Sequence, residues 1–212
     1  KSTVKQTGAA FGDDNNATVQ IFGDDNTTDF LQNGDGNSAV AKIGFQSTAT
    51  YESNLNDVTI SQIGNSNAAL FGLTMGDGNI VSVDQDGDNN YTDFGVKYGD
   101  DNELTEVATG NGNRTRFGSN AAWGDMSSDN DVYISKTGDG NYVAGTIEGD
   151  DNDVNIMKDG TNNMVGTSWH TGDGVSIVGS MNDVDISQTG MGNSSLNSIS
   201  GSSNVISVIQ SN

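Results

Sequence analysis

Carboxylates are by far the most abundant reactive side chains in this chain, and in principle they suit acid–base catalysis or cation binding. The sequence has 29 Asp and Glu residues, 8 Lys and Arg residues, one histidine (His170) and no cysteine. General acid–base catalysis needs two such groups held close together, and covalent catalysis needs a nucleophile beside a base. The carboxylates instead recur in Gly- and Asn-rich turns and at alternate strand positions. This pattern disfavours an enzyme, and we expect His170 to be a loop residue.

The acidic turns also invite comparison with calcium sites. The segment from Asp84 to Asn90, DQDGDNN, is spaced like the start of an EF-hand loop, but its glycine stands at the fourth place. No Glu follows at the twelfth place, which an EF-hand requires. The GGxGxD nonapeptide of calcium-binding β-rolls is absent. We therefore predict no cofactor and leave weak divalent-cation binding by the turns as an open alternative.

The overall charge excludes two classes of partner. A formal net charge of −21 repels the nucleic-acid phosphate backbone and anionic lipid surfaces. No segment approaches the roughly 20 apolar residues of a membrane span. We therefore predict no nucleic-acid partner and no membrane insertion. Because the sequence begins with Lys1 and no apolar signal segment precedes it, we interpret it as a mature or trimmed chain.

A short repeated string positions the polar residues. The motif Gly-x-x-Asn begins at Gly12, Gly23, Gly34, Gly64, Gly76, Gly87, Gly99, Gly110, Gly138, Gly149, Gly160, Gly179, Gly190 and Gly201. The second, fourth and sixth residues after its asparagine are mostly apolar or amide, as Val184, Ile186 and Gln188 are after Asn182. A spacing of two places these side chains on one face of a strand. Each unit is therefore a turn followed by a strand of about six or seven residues.

The sixth position separates two alternating classes of strand. In class A it is Gln32, Gln62, Gln85, Ala108, Lys136, Lys158, Gln188 and Gln210, and Gln6 belongs to an additional strand at the start. In class B it is Ile21, Ile43, Leu73, Val96, Ser119, Ile147, Trp169 and Ile199. The alternation predicts an all-β, two-sheet β-solenoid of about eight rungs. Each rung is a strand–turn–strand unit of about 22 residues, and the rungs stack in a cross-β-like manner.

The spacing between repeats predicts where loops fall. Every step from a class A asparagine to the next class B asparagine is 11 residues, whereas the return steps vary from 11 to 19. Insertions are therefore expected near 44–54, 118–128 and 170–180, all at one edge of the solenoid. The opposite edge is tight. We predict a single domain over residues 1–212.

Inward amides are expected to form ladders along the column. Stacked amides bond to one another, which avoids a cost of about 1–3 kcal/mol for each buried unpaired group. The predicted ladder is Gln6, Gln32, Gln62, Gln85, Gln188 and Gln210. The asparagines expected at the tight turns are Asn37, Asn67, Asn90, Asn113, Asn141, Asn163 and Asn193.

Three charged residues occupy inward positions. Lys136 and Lys158 stand in the glutamine row, and Glu106 takes an apolar place one rung before them. An unpaired buried charge is costly. One hypothesis pairs Glu106 diagonally with Lys136, with the small Ala108 leaving room. The alternative is that both lysines extend their ammonium groups to the edge of the column.

The outward rows differ between the two classes. The first positions of class A strands include an acidic row of Asp57, Glu103, Asp131, Asp153 and Asp183. The comparable class B positions include Ala68, Leu70, Tyr91, Tyr142, Ala144, Met164 and Leu196. We expect the acidic row to repel the same row of other copies, and the class B row to bundle filaments or contact surfaces. Salt should screen the self-repulsion and promote assembly.

The tight-edge segments carry a resemblance to a known family. They include QNGDGN (32–37), QIGNSN (62–67), QDGDNN (85–90) and QTGMGN (188–193). With the strand that leads into it, the second of these segments reads NDVTISQIGNSNAA (56–69). This pattern resembles the curlin repeat over nearly the full chain. The resemblance implies a secreted bacterial subunit that assembles into curli, the functional amyloid of biofilm matrix, with roles in adhesion. The usual second glutamine of the return strand is apolar in most class B strands here.

The terminal segments are expected to mediate assembly. Neither STVKQTG near the start nor NVISVIQSN at the end contains proline or a charge cluster that would block strand addition. We predict a head-to-tail homopolymer whose end strands carry Val4 and Gln6 on one side. The end strand on the other side of the subunit carries Ile206, Val208 and Gln210. Bacterial secretion and nucleation proteins are further expected partners, and the location is extracellular, at the cell surface or in the biofilm matrix. The alternative is a non-polymerising solenoid segment of a surface adhesin or phage fibre.

Overall fold

The structure is a computed structural model that describes residues 2–7, 14–46, 49–50, 53–119, 128–166 and 174–212. For residues 2–7, 45–46, 49–50, 73–75 and 119 only the backbone is described. Strands form two large parallel sheets, which we call sheet A and sheet B. The predicted all-β, two-sheet solenoid is thereby confirmed.

Sheet A contains nine strands, each paired in parallel with the next. They are β1 (Ser2–Thr7), β3 (Thr27–Asn33), β7 (Asp57–Ile63), β9 (Ile80–Asp86), β11 (Glu103–Thr109), β13 (Asp131–Thr137), β15 (Asp153–Thr161), β18 (Asp183–Met191) and β21 (Val205–Ser211). These are the class A strands of the sequence, in order.

Sheet B contains the class B strands in eight rows. The first six rows are β2 (Asn16–Ile21), β4 (Ser38–Ile43), β8 (Ala68–Met75), β10 (Tyr91–Tyr98), β12 (Arg114–Ser119) and β14 (Tyr142–Glu148). The last two rows are split: β16 (Met164–Val165) with β17 (Val175–Val178), and β19 (Ser194–Ser195) with β20 (Asn197–Ser200). A small hairpin of β5 (Phe45–Gln46) and β6 (Ala49–Thr50) stands apart from both sheets.

The core lies between the two sheets and follows the period of two in the sequence. Inward residues of sheet A, such as Val58 and Ile60, are at most 1% exposed, and aromatic residues of sheet B form a column along the axis. That column contains Phe71, Phe94 and Phe117, which share one register position. Because identical inward positions stack in register, each rung buries its apolar face against its neighbours.

The Gly-x-x-Asn turns have a fixed backbone geometry. The third residue of each described turn is left-handed: glycine at Gly36, and a residue with a side chain at Leu55 and Met181. At the first position, a Cβ on Gly34 would collide with the carbonyl oxygen of Gly64 in the next rung. The close approach of stacked turns therefore leaves no room for a side chain at Gly34, although the turn that contains Leu55 begins with Ser53.

The insertions only partly follow the prediction. At the first expected insertion, Phe45–Gln46 pairs with Ala49–Thr50 outside sheet B, and Ser53 N–H donates to the carbonyl oxygen of Phe22 (3.2 Å). Most of the predicted insertion at 118–128 lies outside the described residues, as do Trp169 and His170. The third insertion was placed wrongly, because it interrupts a sheet B strand instead of following it.

The interrupted strand corrects two predicted positions. Val165 pairs with Val143, the chain then departs, and Ile177 returns to pair with Ile147. The sixth inward position of this row is therefore filled by Ile177, and Trp169 was the wrong choice. Ala144, predicted to lie in an outward row, is fully buried, and the returning segment at Gly174 lies against its carbonyl oxygen. Counting from asparagine to asparagine could not reveal a break within the strand.

Candidate functional site: buried ladders and open strand edges

The glutamines of sheet A are joined by side-chain hydrogen bonds along the column. Gln32 Nε2 donates to Gln62 Oε1, and Gln62 Nε2 donates to Gln85 Oε1, both at 2.9 Å. Gln188 Nε2 donates to Gln210 Oε1 at 2.7 Å. The backbone of Gln6 is in register with Gln32, although its side chain lies outside the description. Within sheet A these amides therefore bond to one another wherever described glutamine side chains stand on neighbouring strands.

Each glutamine of this row with a described side chain also connects the two sheets. The second N–H of Gln62 donates to the carbonyl oxygen of Ser38 (3.1 Å), and that of Gln210 donates to the carbonyl oxygen of Ser194 (2.9 Å). Sequence reasoning missed these contacts across the tight edge. They fix the distance between the sheets at these rungs, because one amide group bonds both to the glutamine row and to the backbone of sheet B.

A buried polar network replaces the ladder in the middle of the column. Gln85 Nε2 donates to Thr92 Oγ1 (2.9 Å), and Thr92 in turn donates to Glu106 Oε2. Thr115 Oγ1 donates to Glu106 Oε1 at 3.0 Å, and Lys136 Nζ lies 2.5 Å from the same carboxylate oxygen. The structure thus forms the diagonal pair that was one of the two hypotheses. The two threonines, which complete the network, were not anticipated.

Lys158 behaves differently from Lys136. Its Nζ donates to the carbonyl oxygens of Tyr142 (2.5 Å) and Asn163 (3.0 Å), yet the residue is only 2% exposed. The alternative hypothesis, in which the lysines extend to the edge of the column, therefore describes the path of the Lys158 side chain. It is wrong in exposing the Lys158 amine to solvent. Burial, and next the charge of Lys136, lower the pKa of Lys158 to about 6. At neutral pH this amine is therefore mostly uncharged inside the column.

The tight-turn asparagines are bonded in a continuous row, and all but the half-buried Asn193 are buried. The backbone N–H of Asn67 donates to Asn37 Oδ1 (3.0 Å), and Asn67 Nδ2 donates to the carbonyl oxygen of Gly87 in the next turn (2.7 Å). The same arrangement recurs at Asn90, Asn113, Asn141 and Asn163. At Asn193 the backbone bond is kept, while Nδ2 turns to Asn163 Oδ1 (3.0 Å). These side chains therefore lock one turn onto the next.

A second asparagine row, at the other edge, was not among the predicted site residues. Asn56 Nδ2 donates to Asn26 Oδ1 (2.9 Å), and Asn79 Nδ2 donates to Asn56 Oδ1 (3.0 Å). The row continues through Asn102, Asn130, Asn152, Asn182 and Asn204. The identical Gly-x-x-Asn string at both edges was the signal that could have identified it.

The last strand of sheet A presents a regular edge. The carbonyl oxygen of Asn204 accepts a hydrogen bond from the N–H of Asp183 (2.8 Å), and Asn212 N–H donates to Thr189 (3.3 Å). In a parallel ladder alternate residues bond to the same neighbour, so residues 205, 207, 209 and 211 direct their backbone groups away from β18. The inward Ile206 and Val208 are only partly buried, unlike their counterparts within the sheet. At the opposite end, Val4 is in register with Phe30.

Two further features bear on cofactors and membranes. Among the described residues, no three Asp, Glu or His side chains converge as a metal-binding group. Weak cation binding by the turns stays a prediction. None of the described segments forms an apolar helix of the length that crossing a bilayer requires.

Comparison with known proteins identifies the repeat. The sequence profile of the curlin associated repeat matches residues 54–87 and 76–105, which contain β7 to β10 and the beginning of β11. No curated protein and no solved structure matches the chain. The matched segments include the Gln62–Gln85 hydrogen bond and the turns on either side of it.

Proposed function

We propose that this chain, which carries curlin associated repeats, is a secreted structural subunit that stacks end to end into curli-like extracellular fibrils. In this role it contributes to biofilm matrix and adhesion, and its principal partner is a second copy of itself. Bacterial secretion and nucleation proteins complete the set of partners. The proposal is for a mechanical role, in which the buried ladders supply cohesion.

The open edge of β21 is the observation that carries the proposal. This strand keeps the register of the interior strands over seven residue pairs with β18, and its Gln210 continues the glutamine row. Its outward-directed backbone groups form the same pattern of donors and acceptors that each interior strand offers to its neighbour. A parallel strand of a second copy can therefore add to this edge by the contacts already used within the chain.

Growth by this route extends every ladder at once. An added rung supplies backbone hydrogen bonds in both sheets, an amide to Gln210 and inward apolar side chains over Ile206 and Val208. Each hydrogen bond contributes about 0.5–1.5 kcal/mol net, and the apolar contacts add to this. The contact is heterologous, so repetition gives a filament and not a closed dimer. Added salt screens the net charge of −21 and should promote end-to-end growth.

The substitution Ser207→Pro tests this mechanism directly. Ser207 directs its N–H toward the open edge, so proline removes a donor for the next copy while the bonds from β21 to β18 stay intact. We expect Ser207→Pro to remain folded but to lose filament growth from this end, and the matched Ser207→Ala variant to grow normally. Electron microscopy of both variants, with circular dichroism to verify folding, provides the measurement.

Two outcomes would contradict the proposal. Filaments of Ser207→Pro that grow at the unmodified rate would show that the edge of β21 is not the growing end. An unmodified chain that stays folded, β-rich and monomeric after incubation in moderate salt would remove the polymer altogether. That second result would favour the solenoid segment of an adhesin or phage fibre.

A further inference from the structure

The outward face of sheet A, which we call the acidic face, carries only negative charges among its described side chains. Among the described side chains of β3 to β21 in this sheet, no Lys or Arg faces outward. Its carboxylates are Asp29, Asp57, Asp84, Asp86, Glu103, Asp131, Asp153, Asp159, Asp183 and Asp185. The acidic face therefore has a strongly negative potential from β3 to β18.

Four of these carboxylates form an unbroken column. Glu103, Asp131, Asp153 and Asp183 occupy one register position on four successive strands. Neighbouring strands lie about 4.8 Å apart, so adjacent charges repel. The pKa of Asp131 is raised by partial burial and by Glu103, and that of Asp153 by burial and by the aspartates around it. A cation placed against this column would relieve the repulsion.

The outward face of sheet B, which we call the basic face, has the opposite character. Its described cations are Lys42, Lys97, Arg114 and Arg116, against the carboxylates Asp93 and Glu148. The other two lysines with described side chains, Lys136 and Lys158, are buried in the core. All outward-facing cations of the described side chains in the two sheets thus lie on this face.

The two arginines of the chain lie next to each other on β12. Arg114 is in register between Tyr91 and Tyr142, and the Arg116 side chain is 41% exposed and lies 3.6 Å from Asp93. These residues line a surface depression of about 150 Å³. Guanidinium groups flanked by tyrosine rings suit carboxylate recognition, because arginine donates in a fixed fork and aromatic neighbours exclude water.

We infer that the basic face of one copy docks on the acidic face of a copy in a neighbouring filament, so that filaments pack side by side. Arg114 and Arg116 are two residues apart on a strand, as are Asp183 and Asp185. Both pairs therefore have the same separation of about 6.6 Å. Because the two faces lie on opposite sides of the solenoid, the contact can repeat from filament to filament. This inference rests on the proposed fibril, but it concerns a different surface from the growing ends.

Two charge-reversed variants test the contact by complementation. Arg114→Glu with Arg116→Glu removes the basic patch, and Asp183→Lys with Asp185→Lys reverses the acidic pair that matches its spacing. All four side chains face outward, so both variants should fold and form filaments. We expect filaments of either variant alone to stay single and a mixture of the two to pack side by side, because the mixture retains one unmodified face of each kind. Filament width by electron microscopy and light scattering measure the effect.

Salt separates this contact from end-to-end growth. Raising ionic strength from about 20 mM to 300 mM shortens the Debye length to less than 8 Å. We expect preformed filaments of the unmodified chain to separate laterally, with at least a threefold loss of light scattering, while their length is unchanged. Unmodified filaments that stay single at low salt, or pack more tightly as salt rises, would overturn the lateral contact alone. The absence of any filament would instead overturn the proposed function.

Discussion

Glu106 and Lys136 form a fully buried ion pair that runs diagonally between neighbouring strands of sheet A. The Glu106 Oε1 to Lys136 Nζ distance is 2.5 Å, and neither side chain has measurable solvent exposure. In register, Lys136 lies beside Ala108 and Glu106 lies beside Ile134. The small alanine therefore leaves the space through which the lysine reaches the carboxylate. Burial lowers the pKa of Lys136, and the Glu106 charge opposes this shift.

The first prediction concerns the loss of one partner of this pair. Glu106→Gln leaves Lys136 buried without an opposite charge, so we expect a destabilisation of about 3–5 kcal/mol. The double substitution Glu106→Gln with Lys136→Gln should recover most of this loss, since both residues are then neutral. Urea unfolding of the single and double variants measures the two free energies. Glu103→Gln, on the outward face of the same strand, is the matched control and should have a small effect on stability. An effect of Glu106→Gln that is as small as that of the control would contradict the pairing.

The second prediction concerns Lys158 and pH. Its pKa is about 6 in the fold and about 10.4 in an unfolded chain, so between these values the unfolded state binds one more proton. Stability should therefore rise with pH across this window, by up to about 1.4 kcal/mol per pH unit from this group, and should level off below pH 6. Urea midpoints at pH 6.5, 7.5, 8.5 and 9.5 measure the slope.

Lys158→Gln should flatten this slope and stabilise the protein at neutral pH. Among the described atoms, Gln188 Oε1 is buried without a hydrogen-bond donor, and an amide at position 158 can supply one. A hydrogen bond to such an unpaired buried acceptor stabilises the folded state by about 1–3 kcal/mol. Lys42→Gln, an exposed lysine on β4, should leave the slope unchanged. A Lys158→Gln variant with the unmodified slope would show that another group titrates in this range.

The third prediction concerns the column of carboxylates on the acidic face. The pKa of Asp153 is raised in the fold, which means that its charged form is disfavoured there. The resulting destabilisation is complete above the folded pKa and disappears as pH falls below the unfolded value near 3.9. Asp153→Asn should therefore stabilise the protein at pH 7, and the gain should shrink toward pH 4. Asp57→Asn, whose register neighbours are Thr27 and Ile80, should give a smaller gain.

The fourth prediction concerns left-handed turn residues. Leu55 has φ of 58° and is 65% exposed, so its side chain contributes strain and little packing. A left-handed residue with a side chain costs about 1–2 kcal/mol, and glycine loses about 0.5–1 kcal/mol in chain entropy. Leu55→Gly should therefore stabilise by about 0.5–1 kcal/mol in thermal unfolding. The reverse change, Gly36→Leu, should destabilise the protein. A destabilising Leu55→Gly together with a stabilising Gly36→Leu would exclude strain as the cause.

The fifth prediction follows from the unequal number of rows in the two sheets. In the described part of the chain sheet A has nine rows and sheet B has eight, so stacking β21 of one copy directly on β1 of the next leaves sheet B one row short. Both sheets are continuous only if β21 replaces β1 beside β3. Deleting residues 1–7 should then preserve or accelerate filament growth, as followed by thioflavin fluorescence and electron microscopy. Loss of growth on deletion would instead identify β1 as the docking strand.

Much of the architecture could be predicted because one physical constraint is repeated in every unit. Alternation after each asparagine fixes which side chains face inward, and the sixth position distinguishes Gln62 from Leu73. The diagonal hypothesis for Glu106 and Lys136 followed from the same register. Thr92 and Thr115 were missed because the contacts that complete a buried network cross from one sheet to the other, and spacing along the sequence contains no information on that distance.

The sequence by itself determined the two strand classes, the inward rows and the segregation of acidic residues on one sheet, because a period of two and a fixed turn leave a single register in which apolar residues are buried. Only the tertiary structure decided where that register is interrupted. Ile177 completes a strand that begins at Met164, since a parallel neighbour can align two separate segments in one row. The pKa of Lys158 and the second donor of each glutamine likewise depend on the packing of one sheet against the other.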